Sequence, residues 1–281
     1  MKLTASQIKG RIKSLSKRIN ADPRLLLRIY MMERFLERVS LSKYKENFVL
    51  KGGMLITALV GNAFRTTMDI DTSIKGIKLD QQSALKIVNE IASISLGDEI
   101  AFKVNRVEEI MSDMDYPGIR VHIDSIIEKM ITPILIDIST EDAITVEHVE
   151  YQYKLMLEER TIQLYSYNLE KILAEKLQTI MVRELLNTRM RDYYEIYIIM
   201  DVFGSSINSQ LLKDTYIVTC KNRHSEYLIG DEDRIIGLLE KDSNLNELWN
   251  KYKNKYQYAG NIEYNQAILS IKRLISTIRT E

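Results

Sequence analysis

The sequence predicts an α/β fold of the α+β kind, a mixed sheet in the N-terminal half followed by a bundle of helices. Three observations carry that expectation. Short apolar or alternating runs at 48–50, 100–107, 119–123, 134–139 and within 145–165 read as strands, and no β signal follows them. From Asn168 onward the apolar residues recur at helical spacing through segments 169–186, 189–200, 208–221, 232–241, 245–256 and 262–278. Only three prolines, Pro23, Pro117 and Pro133, interrupt the chain, and its richness in Leu, Ile, Lys, Glu and Arg favours helix. The expected division is an N-terminal domain of residues 1–166, led by two basic helices, and a C-terminal helical domain of 167–281.

A chain of 281 residues with a 45% hydrophobic fraction can bury a real core, which argues against disorder. Its 39 basic and 39 acidic residues balance, so bulk charge gives no nucleic-acid signal. The balance hides a polarity. Residues 1–48 hold 12 Lys/Arg against 4 Asp/Glu, a net of +8, whereas 96–150 hold 4 against 13, a net of −9. That asymmetry suits either a basic face for a polyanion or two segments that pack on each other. One cysteine, Cys220, allows no internal disulfide and no cysteine metal cage. With no long apolar run and no signal-peptide core, the expectation is a soluble cytoplasmic protein without a membrane segment.

Residues 4–19 read as a helix with a basic face, and Asp22-Pro23 as an N-cap followed by proline at the first helical position. In the next helix, Leu25 to Val39, Arg24, Arg28, Arg34 and Arg38 fit either phosphate contacts or a solvated face opposite Leu26, Ile29, Met32 and Leu36.

The stretch from Lys51 to Asp71 has the parts of a metal and triphosphate site. Phe48-Val49-Leu50 reads as a strand, and Gly52-Gly53 stands where the helix of Met54 to Val60 begins. Exposed N–H groups and the helix dipole favour phosphate there, and a residue without Cβ permits close approach. Sixteen residues after Gly53 comes Asp69-Ile70-Asp71, in the β-branched run from Thr66 to Ile74. Strand alternation puts both carboxylates on one face, an arrangement that suits Mg²⁺, which keeps water and phosphate oxygens in its other positions.

Further on, Leu79 to Leu96 reads as an amphipathic helix, and Tyr116-Pro117-Gly118 as a turn into a strand with Arg120, His122 and Asp124 on its polar face. No histidine has a partner that suggests a metal cage. In Ile134-Leu135-Ile136-Asp137-Ile138-Ser139 an acid interrupts an apolar strand, and burying it is costly unless it is paired or binds a cation. Asp137 is therefore the candidate third metal carboxylate, with a capping or strand-end role as the alternative and Asp124 and Asp142 as competitors.

Asn168 or Tyr167 caps the helix that carries Leu173-Ala174-Glu175-Lys176-Leu177, whose charges on composition alone are surface pairs. In one unbroken helix Lys176 and Asp192 would stand roughly 160° apart. A break near Asn187 is needed for both to face one site, and Asp192 and Glu195 would then share a face able to orient Lys176. The tyrosines at 252, 256, 258 and 264 interleave with Lys251, Lys253 and Lys255, which fits base stacking or helix packing.

Strand, Gly-Gly, helix and then Asp-x-Asp resembles the DNA polymerase β-like nucleotidyltransferase signature, with Gly53 where many members carry serine. Lys51-Gly52-Gly53 with Arg65-x-Thr67-x-Asp69-x-Asp71, Tyr116-Pro117-Gly118-x-Arg120, Ile136-Asp137-Ile138, the Tyr167 to Leu177 segment and Arg189-x-Arg191-Asp192-Tyr193-Tyr194-Glu195 resemble, in order, the AbiEii/AbiGii abortive-infection toxin family. Glu195 departs from the family's common aspartate. The resemblance implies a nucleotidyltransferase toxin, paired with an antitoxin in antiviral defence, that transfers NMP from an NTP to RNA, with the tRNA 3′ end as the expected acceptor. It implies Asp69, Asp71 and Asp137 as Mg²⁺ ligands, and Lys51, Gly52, Gly53, Arg65 and Thr67 along the nucleotide phosphates. Lys176 and Asp192 would complete the catalytic set, in a cleft between sheet and bundle. Alternatives from other classes are a nucleotide-binding regulator with a degenerate site, and a partner-binding protein whose basic N-terminus docks an acidic antitoxin.

Overall fold

In a computed structural model, which describes residues 3–61, 67, 69–110, 118–140 and 148–279, the β signals assemble into one mixed sheet of seven described strands. They are β1 (Phe48–Lys51), β2 (Asp69–Ile74), β3 (Ala101–Ile110), β4 (Gly118–Ile127), β5 (Met130–Thr140), β6 (Val149–Lys154) and β7 (Thr161–Ser166), in the spatial order β3-β4-β5-β2-β1-β7-β6. The β2–β5 and β1–β7 pairs are parallel and the other four antiparallel. The expected α/β class, a mixed sheet followed by a helical C-terminal part, is the observed one. The chain forms two compact units that divide between Tyr167 and Asn168.

The first unit adds four helices to the sheet: α1 (Ala5–Ile19), α2 (Pro23–Leu41), α3 (Gly52–Val60) and α4 (Gln81–Ala92). Local chemistry sets their ends. Thr4 and Gln7 form a reciprocal capping box, Asp22 accepts the Arg24 N–H at 2.8 Å ahead of Pro23, and Asp80 with Ser83 caps α4. The α4 helix is shorter than the expected 79–96 because these caps and Ser93 fix its limits. Helix α2 packs on β5 and β7, and α4 on β3 and β4. The strands bury Ile70, Val121, Ile123, Ile134 and Ile136 on the alternate positions, and Asp71, Arg120 and Asp137 stand on the other face.

Two arginines overturn the solvated-face reading of α2. Arg34 and Arg38 are buried, Arg34 beside Glu37 and Glu158, and Arg38 in a bidentate pair with Asp98 at 2.8 and 3.2 Å. A basic residue of the 1–48 segment thus packs on an acidic one of the 96–150 segment, so mutual packing accounts for part of the charge asymmetry. On α1, Lys9, Lys13 and Lys17 stay exposed at successive turns.

Also in α2, Glu33 is buried and accepts the Met156 N–H on both oxygens, at 3.0 and 3.1 Å. Burial pushes its carboxyl from 4.5 up to about 8, against the Met156 hydrogen bonds and Arg34. Between those pH values the folded chain holds a proton that the unfolded chain releases, so stability falls as pH rises, by at most about 1.4 kcal/mol per pH unit. Thermal melts from pH 5 to pH 8 should show a declining Tm that Glu33→Gln flattens. An equal decline in the variant would assign the dependence elsewhere.

The second unit is helical: α5 (Leu169–Arg183), α6 (Met190–Phe203), α7 (Ser209–Asn222), α8 (Glu232–Lys241), α9 (Ser243–Lys255) and α10 (Tyr264–Arg279). Asn168, not Tyr167, caps α5 by accepting the Lys171 N–H at 2.8 Å. The tyrosine-rich segment is packing. Trp249 is fully buried with its Nε1–H on the Ile262 carbonyl at 2.9 Å, the Tyr194 and Tyr258 rings are 4.8 Å apart, and Tyr252 and Tyr258 share a hydroxyl hydrogen bond of 2.9 Å. Cys220 is buried here. Among the described residues no helix is long and apolar enough to cross a membrane.

Candidate active site

Strand register builds the site. Lys51 on β1 pairs with Asp71 on β2, Asp71 with Asp137 on β5, and Asp137 with Arg120 on β4. Laterally paired residues share a sheet face, so four strands present one rung of cation, anion, anion and cation. Asp69, two residues before Asp71, joins the same face. The carboxylates of Asp69, Asp71 and Asp137 bring one oxygen each within 4.8 Å of the other two.

Each neighbour of these acids has a definite task. Gly52 starts α3 at φ +62°, a conformation that side chains with Cβ disfavour, and a Cβ there would overlap the Asp71 carboxylate. The glycine thus makes room for Asp71. The Gly53 N–H donates to Asp71 Oδ2 at 3.3 Å, which puts the positive end of α3 against the carboxylate. Thr67 is buried, and its hydroxyl donates to Asp69 Oδ1 at 3.4 Å and to the Asp69 carbonyl at 3.3 Å. Lys51 donates to Ser139 Oγ at 2.7 Å, with its ammonium 5.6 Å from the Tyr167 ring centroid. Ser73 lies between Ser139 at 3.2 Å and the Tyr167 hydroxyl at 2.8 Å.

The electrostatics favour a cation. Burial, with Asp69 close by, raises Asp71 from 3.8 to about 6, against the Gly53 N–H and Lys51. Asp69 and Asp71 therefore crowd negative charge that Lys51 offsets only in part, and hard carboxylate oxygens at this spacing fit a divalent ion such as Mg²⁺. Asp137 differs, since both of its oxygens are taken by Arg120, Nε to Oδ1 at 2.8 Å and Nη2 to Oδ2 at 2.6 Å.

Within the second unit, α5 carries Lys176 and α6 carries Asp192 and Glu195. The Lys176 ammonium pairs with Asp192 Oδ1 at 3.1 Å and also with Glu195, and Arg189 Nε meets Asp192 Oδ2 at 2.9 Å. Asp192 and Glu195 are 2% and 1% exposed. Burial by itself would raise the Asp192 carboxyl, but Lys176 and Arg189 hold it below its ordinary value. The chain does break between the helices: α5 ends at Arg183, a 3-10 turn spans Glu184–Leu186, and Asn187 is extended with φ −77° and ψ 100°. The residue at positive φ is Glu184, not Asn187. Asn187 instead secures the turn by accepting the Arg189 N–H at 2.9 Å, and Thr188 gives no side-chain cap.

A sequence model of the family described as nucleotidyl transferase AbiEii toxin, Type IV toxin-antitoxin system, matches residues 34–270. The chain belongs to this family. No curated protein sequence matches it. The crystal structure of JHP933 from Helicobacter pylori is similar at a TM-score of 0.50 and 15% identity, over 92% of this chain and 94% of that one, a likeness of fold. A second H. pylori structure, described as a candidate nucleotidyltransferase, gives a TM-score of 0.49 and 17% identity, over 92% and 96% of the two chains. This AbiEii-family chain is thus a member of a toxin-antitoxin toxin family with a nucleotidyltransferase fold.

Of the candidates from sequence, the AbiEii-family chain brings Asp69, Asp71, Asp137, Lys51, Gly52, Gly53 and Thr67 together in the first unit, and Lys176 with Asp192 in the second. Arg65, Tyr116, Pro117 and the competitor Asp142 lie outside the described residues. The competitor Asp124 is four residues from Arg120 along β4 and opposite Pro133, away from the rung. Arg120 is the functional candidate that sequence reasoning passed over. Its place on a polar strand face was legible, but its partner was not.

Proposed function

We propose that this toxin-family member is a Mg²⁺-dependent cytoplasmic enzyme that transfers NMP from an NTP to RNA, with the tRNA 3′ end as acceptor, so that translation stops until a cognate antitoxin counters it. The observation that carries the reading is the Asp69–Asp71 pair set against the Gly52-Gly53 start of α3, in a chain of the AbiEii family. When bound, the metal supplies charge neutralisation at the α-phosphate. The chain's own residues do the rest. Asp69 and Asp71 hold the cation, with Thr67 fixing the first and Gly53 the second. Lys51 and the N-terminus of α3 offer positive charge to the phosphates. Lys176, fixed by Asp192 and Glu195, is assigned to the same reaction as the cation for the leaving pyrophosphate; the family's motif set supports that role.

Radiolabelled NTPs, offered singly with total RNA, test the proposal. Label in RNA that requires Mg²⁺ is the expected result. NTP binding without incorporation would instead make the chain a nucleotide-binding regulator.

The exposed row of Lys9, Lys13 and Lys17 is the RNA surface this reading favours, because no carboxylate on α1 offsets it. Charge reversal of all three to Glu should weaken RNA binding and flatten its log–log salt dependence by about one unit for each phosphate no longer neutralised. An unchanged slope would remove α1 from the RNA site.

A further inference from the structure

Arg120 has a geometry that the metal-site reading alone does not explain. Its guanidinium meets Asp137 in a two-point fork at 2.6 and 2.8 Å, which occupies both oxygens of the acid nearest Asp71 on the rung. Such a pair is directional, and a lysine could not reproduce it. Glu108, opposite Arg120 on β3, does not compete, since its carboxylate engages His122 Nε2 at 2.7 Å and also Arg106. The Arg120 side chain is one-third exposed, so an incoming anion can reach it. A phosphate presents the same paired acceptor oxygens as a carboxylate and can replace it on the fork.

We infer that Arg120 is a positioning residue that holds Asp137 away from the cation until a polyphosphate claims its guanidinium, so that the resting site offers a cation Asp69 and Asp71 alone. The inference rests on the proposed metal site and adds an order of events. Cation binding to two carboxylates comes first, and nucleotide binding then frees the third. Asp137 is thereby kept in place for the acceptor hydroxyl without drawing in a second ion before the nucleotide arrives.

Manganese titration of the full chain, by calorimetry and by the spin-resonance signal of free Mn²⁺, tests this without turnover. Without nucleotide, Asp71→Asn should weaken Mn²⁺ binding tenfold or more, Asp137→Asn should change it less than about twofold, and Arg120→Gln should strengthen it several-fold or add a second ion. With a non-hydrolysable NTP analogue present, Asp137→Asn should become costly, by about tenfold. Equal losses for Asp71→Asn and Asp137→Asn without nucleotide would overturn the inference while leaving the metal site standing. Unchanged binding in folded Arg120→Gln would do the same. Should circular dichroism show that Arg120→Gln does not fold, the Asp137→Asn comparison, made with and without the analogue, decides alone. A wild-type chain that takes no Mn²⁺ would remove the metal site and the inference together.

Discussion

Asp69→Ala and Asp71→Ala should each abolish RNA labelling and growth arrest, with a loss on the order of 10²-fold or more, while the chain stays folded. Removing an electrostatic stabiliser from a transferring phosphoryl group costs at least that much. The two effects should part company. Asp69 and Asp71 are adjacent carboxylates crowded by burial, so removing one relieves repulsion in the metal-free chain. Its melting temperature should hold or rise as activity disappears. A folded Asp69→Ala, Asp71→Ala double variant with wild-type labelling would end the catalytic assignment; one that is inactive because it has unfolded would show instead that the acids support the fold.

The parts of this site written in consecutive residues were legible, and those written in strand pairing were not. Alternation alone put Asp69 and Asp71 on one face, and Gly52-Gly53 after a strand announced the start of α3. The reason for Gly52 was hidden, because the space it leaves is filled by Asp71, which comes from another strand. Asp137 was identifiable as an acid too apolar in its setting to be idle. That Arg120 satisfies it follows from the β4–β5 hairpin register, which the two-residue turn at Glu128-Lys129 sets and the apolar pattern of either strand alone does not show. In α2 the limit was distance: helical periodicity offered Arg38 only phosphate or water, because its partner, Asp98, lies 60 residues away. The break between α5 and α6 was readable from the need to turn Asp192 toward Lys176, yet the strained residue proved to be Glu184 and the anchoring one Asn187.

Lys176→Ala should be the most destabilising of the site substitutions, by about 3–5 kcal/mol, because it leaves buried Asp192 and Glu195 without their shared cation. Loss of activity in that variant would therefore not distinguish catalysis from folding. The pair of acids supplies the control. A buried ionic cluster replaced as a whole by apolar residues of similar size is often neutral or stabilising, whereas breaking it by removing one member is costly. Lys176→Met combined with Asp192→Leu and Glu195→Met should regain most of the stability that Lys176→Ala loses, as read by urea denaturation. The Asp192 carboxyl, held below its ordinary value, contributes stability at neutral pH that is lost as pH falls through its range, so the triple variant should also lose part of the acid-side decline in Tm. If Lys176 acts on the nucleotide, the restored triple variant stays inactive, with labelling of RNA at background. Labelling that returns with stability would make the Lys176 cluster a support of the helical unit and leave the reaction to the sheet residues.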